Sequence, residues 1–153
     1  MIFGERYLIS WITVMEKRST VDNTMILFDR VTKTYGTGQK ALDDVSLQIE
    51  KGEFVFLVGN SGAGKTTLLE LILRETEADQ GNIVVNGIDL RQLKERQVCR
   101  YRRDIGMGFQ DFCLFQDFTV YENVAFAQRV IEADHKRMRS RVMEVLSQVG
   151  LEK

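Results

Sequence analysis

The chain has 153 residues, a hydrophobic fraction of 44% and a formal net charge of −1. This length fits one domain with a real core, and the balanced charge argues against a nucleic-acid partner. No apolar run approaches the roughly 18 residues that cross a bilayer, and no cleavage site follows an apolar N-terminal core, so we expect a cytoplasmic chain.

Residues 1–24 differ in character from the rest of the sequence. Large apolar side chains recur at every fourth position: Phe3, Tyr7, Trp11 and Met15. This spacing is compatible with a short amphipathic helix. The alternative is a non-native extension from a start codon assigned too early, because Met25 opens a self-sufficient strand pattern.

Alternating or continuous apolar runs predict five strands after this segment. They are "MILFDRV" (25–31), "VSLQI" (45–49), "FVFLV" (54–58), "NIVVNG" (82–87) and "IGMGFQ" (105–110). The third run is short and entirely apolar, which is typical of a strand buried on both faces.

Two helices are predicted in the first part of the chain. The segment after Gly64 places Leu68, Leu69 and Ile72 on one helical face. The charged segment 89–103 reads as a second helix, with Asp89 as its N-terminal cap.

Two further helices are predicted towards the C-terminus. Residues 119–122, "TVYE", fit a capping box that opens a helix through Ala127. A last helix begins near Asp134 and ends at Gly150. Its predicted apolar stripe consists of Met138, Val142, Val145 and Val149.

The cysteines, Cys99 and Cys113, lie fourteen residues apart in a chain with a single histidine. This pattern matches neither a zinc site nor a disulfide framework. We interpret them as small buried apolar residues in a reducing compartment.

The segment "LVGNSGAGKTT" contains a glycine, four further residues, then Gly-Lys-Thr, between an apolar run and a helix. This pattern is a phosphate-binding loop, in which backbone N–H groups and a helix N-terminus bind anionic phosphates. Lys65 would reach the β and γ phosphates, and the Thr66 hydroxyl would coordinate Mg²⁺. The predicted nucleotide-binding residues of the loop are Gly59, Asn60, Ser61, Gly62, Ala63, Gly64, Lys65, Thr66 and Thr67.

The absence of an N-K-x-D guanine-reading motif disfavours a GTPase. The stretch "MILFDRVTKTYGTGQKALDDVSLQIEKGEFVFLVGNSGAGKTTLLELI" resembles the start of ABC-type ATP-binding subunits. The resemblance implies an α/β P-loop NTPase of ABC type, with a RecA-like core, an N-terminal antiparallel β-subdomain and the start of a helical subdomain. It also implies that Tyr35 stacks on adenine and that Gln110, in "IGMGFQD", senses Mg²⁺ and the γ-phosphate.

Within this family, "FQDF" and "TVYENVAFAQRV" are most similar to the cell-division, FtsE-type branch. The resemblance implies a homodimer in the full-length protein and a peripheral location on the inner face of the membrane, through an FtsX-like membrane protein. Phe112–Phe118 would form the docking region for that partner, or would fill a gap between the core and the helical subdomain. Other members of the family serve lipoprotein release or amino-acid uptake, and these functions remain open.

The family's L-S-G-G-Q segment, acidic pair and switch histidine do not follow Gln110. We therefore expect a truncated subunit that binds ATP and does not turn it over, and that leaves one face of residues 54–58 uncovered. The expected divisions are an extension (1–24), the β-subdomain with the phosphate-loop core (25–110), and the Q-loop with the start of the helical subdomain (111–153).

Overall fold

The computed structural model describes residues 12–14, 23–36, 38–109, 113–131 and 135–151. Gln110 and Phe112, and most of residues 1–24, therefore lie outside the described residues. The chain divides into two compact units, Met1–Met107 and Gly108–Lys153.

Strand β1 (Ile12–Val14) precedes the four strands on which the first unit is built, which are β2 (Thr24–Thr34), β3 (Lys40–Glu50), β4 (Gln80–Val85) and β5 (Ile88–Asp89). These four strands form an antiparallel sheet in the order β3-β2-β4-β5. Asn86 and Gly87, both with positive φ, form the two-residue turn between β4 and β5, as the twist of a hairpin requires. The strands predicted at 25–31 and 45–49 are confirmed. The strand predicted at 82–87 is confirmed over 82–85 and wrong at Asn86 and Gly87, which form the turn.

Helix α1 (Lys65–Ile72) contributes to the buried core of this unit. The core includes Phe28 and Val31 of β2 and Leu71 of α1, each almost fully buried. The helix was predicted to bury Leu68, Leu69 and Ile72. Leu69 is only half-buried, because the face turned to the core is centred on Leu71, two residues further on.

The charged segment 89–103 forms two elements, where one helix was predicted. Asp89 caps a 3-10 turn, Leu90–Gln92, by accepting a hydrogen bond from the Arg91 N–H at 3.0 Å. Helix α2 begins later and spans Glu95–Arg102. Leu93, which separates the two elements, has an extended backbone.

Helix α2 holds the C-terminal end of α1, where helical carbonyls lack intrahelical partners. The buried Tyr101 hydroxyl donates to the Ile72 carbonyl at 2.5 Å, and burial raises the pKa of this phenol above its usual value. The Arg102 guanidinium donates to the Leu73 carbonyl at 2.8 Å and to the Arg74 carbonyl at 3.0 Å. These bonds fix the helix whose other end carries the glycine-rich loop.

Residues 54–58 do not form the predicted strand. Their relative exposure ranges from 41% at Leu57 to 75% at Val58, and the rings of Phe54 and Phe56 meet edge to face with centroids 4.8 Å apart. A doubly buried strand needs a neighbour on each side and cover on each face. Neither described sheet includes this run, so the whole run, and not only one face, is exposed.

A second, two-stranded sheet joins β1 (Ile12–Val14) to β6 (Ile105–Met107) in antiparallel register, with Ile12 opposite Met107. The strand predicted from residue 105 is confirmed over these three residues. The helix considered for residues 1–24 is wrong at residues 12–14, where the backbone is extended. The four apolar residues that suggested the helix lie outside the described residues.

The second unit contains α3 (Val120–Val130) and α4 (His135–Gln148). The predicted capping box is confirmed: Thr119 Oγ1 accepts from the Glu122 N–H at 3.2 Å, and Glu122 Oε2 accepts from the Thr119 N–H at 2.7 Å. The Thr119 N–H lowers the pKa of the Glu122 carboxyl. The helix runs three residues beyond the predicted Ala127.

Helix α4 packs on α3 through Met138, Val142 and Leu146, which cluster with Ala125. The predicted stripe was wrong in its second half, because Val145 and Val149 are exposed. Gly150 ends the helix as predicted, with a positive φ. None of the helices in the described part of the chain is long and apolar enough to cross a membrane.

The interpretation of the cysteines as buried residues was wrong. Cys99 and Cys113 are both exposed free thiols. Cys99 follows the buried Val98 on α2 and faces outward, because one residue along a helix rotates the side chain by about 100°. Cys113 lies in an irregular segment with a positive φ of 45°.

Candidate nucleotide-binding site

The glycine-rich loop reaches α1 through left-handed backbone positions. Gly62 and Gly64 both have φ of 81°, a conformation that residues with a Cβ rarely adopt. A Cβ on Gly64 would lie 2.3 Å from the Ala41 carbonyl oxygen on β3, whereas a Cβ on Gly62 would meet open space. Glycine at position 64 therefore lets the start of α1 pack directly against the sheet.

The Lys65 side chain bonds to the backbone of the glycine-rich loop that precedes it. Its ammonium donates to the Gly59 carbonyl at 2.5 Å and to the Asn60 carbonyl at 2.7 Å. The ammonium has three N–H donors, so these bonds place a positive charge at the loop and leave it one further direction in which to donate.

The N-terminus of α1 is arranged to accept negative charge. Its cap residue, Gly64, supplies no side-chain hydrogen bond, and no acidic residue lies in the first turn. The first amides of a helix have no intrahelical acceptor, and the helix dipole makes this end positive. Together with the Lys65 ammonium, this end of α1 favours an anion such as phosphate.

The two threonines after Lys65 have different surroundings. Thr67 is buried, and its hydroxyl lies 3.3 Å from the Tyr35 hydroxyl. Thr66 is exposed. Of the two hydroxyls, only that of Thr66 is accessible to a metal ion accompanying a phosphate.

Tyr35, at the end of β2, lies beside α1. Its hydroxyl donates to Glu70 Oε2 at 2.7 Å, and the residue remains 42% exposed. The hydrogen bond from Thr67 lowers the pKa of Tyr35, but the bond to Glu70, burial and the Glu70 charge raise it, and the net shift is upward. The Lys33 ammonium lies 5.7 Å from the ring centroid.

Asp79 holds the strand end that carries Tyr35. Its carboxylate accepts from the Thr34 N–H at 2.6 Å and from the Lys33 ammonium at 3.4 Å. The Thr34 N–H is the largest cause that lowers the pKa of this carboxyl. Sequence reasoning identified neither Asp79 nor Glu70, although Glu70 lies about one helical turn after Thr67 and so shares a face with it.

The second unit carries an exposed aromatic patch made of Phe115, Phe118 and Phe126. The Phe115 ring centroid lies 5.0 Å from that of Phe118 and 4.7 Å from that of Phe126. Phe115 is 45% exposed, and Leu114 beside it is more exposed still. Within the segment predicted either to dock a partner or to fill a gap, Leu114, Phe115 and Phe118 are thus exposed.

Asn123 of α3 fixes the backbone of this patch. Its Oδ1 accepts from the Phe115 N–H at 2.9 Å, and its Nδ2 donates to the Phe115 carbonyl at 3.1 Å. The same Nδ2 reaches the carbonyls of Phe118 at 3.3 Å and Thr119 at 3.1 Å. One amide therefore holds the segment 115–119 against the first turn of α3.

The N-terminal antiparallel sheet and the glycine loop before α1 are consistent with the P-loop NTPase fold. Residues 42–153 match the family model described as "ABC transporter". The chain therefore belongs to the ABC transporter family, and the fold class predicted from the sequence is confirmed.

The chain is similar to curated proteins named cell division ATP-binding protein FtsE. The FtsE of Bacillus subtilis is 46% identical over 127 residues, which cover 83% of this chain and 56% of the relative. The FtsE of Escherichia coli is 45% identical over 127 residues, which cover 83% of this chain and 57% of the relative. The chain thus spans about half the length of the curated relatives it matches.

Solved ABC structures agree with this assignment. The cbiO1 protein of Clostridium perfringens, part of the ABC transporter complex cbiONQ, matches with a TM-score of 0.75 at 25% identity, over 86% of this chain and 52% of that one. The ATP-binding cassette MJ0796, as a dimer bound to ADP and Pi, matches with a TM-score of 0.68 at 32% identity, over 80% of this chain and 56% of that one.

Proposed function

We propose that the glycine-rich loop and the start of α1 bind MgATP. The observation that carries this proposal is the Lys65 ammonium, held by the Gly59 and Asn60 carbonyls at the uncapped N-terminus of α1. An ammonium beside the first amides of a helix suits a polyphosphate. The similarity to proteins named ATP-binding supports ATP as the nucleotide.

Each predicted residue has a role in this proposal. Lys65 contacts the β and γ phosphates, the amides from Ser61 to Thr67 bind phosphate oxygens, and Tyr35 stacks on adenine. Without the nucleotide, the Ala63 amide of this set donates to the Asn60 carbonyl at 3.1 Å. The Thr66 hydroxyl and the Gln110 amide oxygen hold Mg²⁺, since hard oxygen donors are the ligands it prefers. When bound, the ion neutralises phosphate charge.

Titration calorimetry on the whole chain tests the proposal. We expect binding of MgATP and weaker binding of MgGTP. We also expect negligible turnover by these 153 residues, because the family's acidic pair, which would supply a general base for water, does not follow Gln110 among them. A turnover number near 1 per second or above, ordinary for an enzyme, would contradict the second expectation, and absence of MgATP binding would contradict the first.

The aromatic patch of the second unit is the proposed docking surface for a short cytoplasmic helix of an FtsX-like membrane protein. It offers three large rings, and Asn123 fixes the backbone of two of them, Phe115 and Phe118. Rigid aromatic groups are typical anchors at protein interfaces. The similarity to cell-division proteins supports this partner over those of lipoprotein or amino-acid transporters. Through it the protein would sit peripherally on the membrane, and a longer form would work as a dimer.

Replacing Phe115 with alanine should weaken this partner's binding by more than about 1 kcal/mol, the cost typical of an interface hot spot. The measurement is retention of the FtsX-like protein of the same organism, in detergent micelles, on the immobilised chain. MgATP affinity, measured in parallel, should be unchanged, because Phe115 is not among the residues proposed to contact the nucleotide or its metal ion.

Met143→Ala is the matched control, because it removes a comparably exposed apolar side chain from α4. It should leave partner binding unchanged. If Phe115→Ala keeps the partner but lowers the melting temperature by several degrees, Phe115 is a packing residue and the docking surface lies elsewhere. Retention of a lipoprotein-release or amino-acid transporter subunit in place of the FtsX-like protein would favour those functions.

A further inference from the structure

The Tyr35 hydroxyl joins a short chain of hydrogen bonds on α1. It donates its single proton to Glu70 Oε2 at 2.7 Å. The contact of 3.3 Å with Thr67 must then have Thr67 Oγ1 as donor. The phenol oxygen is thus held from two sides by residues about one helical turn apart, on the helix that begins at the phosphate loop.

The bonds to Glu70 and Thr67 restrict the Tyr35 ring more than the backbone bonds of Tyr35 do. The backbone of Tyr35 is fixed by a turn, in which its N–H donates to Gln39 at 3.1 Å and its carbonyl accepts from Gly38 at 2.8 Å. Such bonds hold the Cα and leave the side chain free to rotate. The buried Thr67 and the half-buried Glu70 fix the far end of the ring instead.

We propose that Glu70 is a positioning residue for the nucleotide base, acting through Tyr35. The inference rests on the proposed function, in which the Tyr35 ring stacks on adenine. Glu70 touches no nucleotide atom in this proposal; it holds the phenol so that one ring face stays presented beside the phosphate loop. Ordering that side chain before the ligand arrives removes a cost that binding would otherwise carry.

This hydrogen bond from Tyr35 to Glu70, here called the tether, gives the tyrosine hydroxyl a function that stacking alone does not require. A phenylalanine ring stacks as well as a tyrosine ring, but it cannot donate to Glu70. Removing the hydroxyl or the carboxylate should therefore weaken binding of the base while leaving binding of the phosphates intact. The two ligands to compare are MgATP and Mg²⁺-triphosphate, which lacks the base.

The experiment measures the dissociation constants of both ligands by calorimetry for the whole chain and its variants. We expect Tyr35→Phe and Glu70→Ala each to weaken MgATP about threefold to tenfold, the effect of one hydrogen bond, and to change triphosphate by less than about twofold. The double variant should lose no more than either single variant, since both break the same bond. Glu70→Gln retains an acceptor oxygen and should bind MgATP nearly as well as the parent.

Glu75→Ala is the matched control, because it removes the same charge from an exposed residue just beyond α1. It should leave the affinity for both ligands unchanged. Equal losses for MgATP and triphosphate in Glu70→Ala would overturn the inference and make Glu70 a support of the loop. Tighter MgATP binding would also overturn it, because the tether would then compete with stacking. If the parent chain bound triphosphate but not MgATP, base recognition would fail; if it bound neither, the proposed function itself would fail.

Discussion

Lys65→Ala is expected to weaken MgATP binding by at least about tenfold to a hundredfold, because one charge-assisted hydrogen bond contributes about 1.5 to 3 kcal/mol. The substitution removes the only cationic side chain of the glycine-rich loop. The remaining donors are neutral amides, whose dipoles offset clustered phosphate charge less well than an ammonium does. Titration calorimetry with MgATP measures the effect, and Mg²⁺-triphosphate should show a similar loss.

Two control measurements test whether the effect of Lys65→Ala is specific to the loop. Lys51→Ala removes the same charge from the segment that follows β3 and should leave the MgATP affinity unchanged. The melting temperature of Lys65→Ala without nucleotide should change little, since the ammonium binds only two carbonyls of its own loop. Equal affinities for Lys65→Ala and the parent chain would remove the phosphate-loop interpretation altogether.

Gly64→Ala is expected to have the largest effect on folding among single changes in the loop. The new methyl group would lie 2.3 Å from the Ala41 carbonyl oxygen and 2.9 Å from Leu42 Cδ2. The backbone also has φ of 81° there, which costs a residue with a Cβ about 1 kcal/mol or more. Steric overlap with a strand backbone adds about 1 to 3 kcal/mol, so several kcal/mol of stability should be lost.

Gly62→Ala separates the two contributions. Gly62 has the same φ of 81°, but a methyl group there meets open space. The Gly62→Ala variant should therefore lose only the stability that a left-handed backbone costs a residue with a Cβ, about 1 kcal/mol. Urea unfolding followed by circular dichroism gives both values. Similar losses in the two variants would mean that the packing of Gly64 on β3 contributes nothing, and that α1 tolerates a shift away from the sheet.

Features of this chain that depend on neighbouring residues in the sequence were predictable. The capping box of Thr119 and Glu122, the glycine stop at Gly150 and the start of α1 after Gly64 are each decided within a few residues. The strands β2, β3 and β4 follow from apolar alternation, which a half-buried antiparallel sheet imposes directly. Helix faces were less certain, because the choice between Leu69 and Leu71 on α1 depends on where the sheet lies.

Features that depend on distant residues were not predictable. Tyr101 and Arg102 hold the end of α1 from nearly thirty residues away, and no local pattern marks them as caps. Residues 54–58 carry a strong strand pattern, yet an apolar run becomes a strand only when other strands accept its hydrogen bonds. Glu70 reads as an ordinary helix-surface acid, and only the path of β2 brings the Tyr35 hydroxyl to it.

The exposed run 54–58 leads without a break into the loop whose carbonyls hold Lys65. Whatever pairs with this run, from elsewhere in the protein or from another chain, restrains Gly59 and Asn60 as well, since they follow Val58 directly. The free energy gained by covering the run and that gained by binding phosphate are then linked, and linkage is reciprocal. Nucleotide binding would then strengthen pairing at residues 54–58 by the same free energy as this pairing strengthens nucleotide binding.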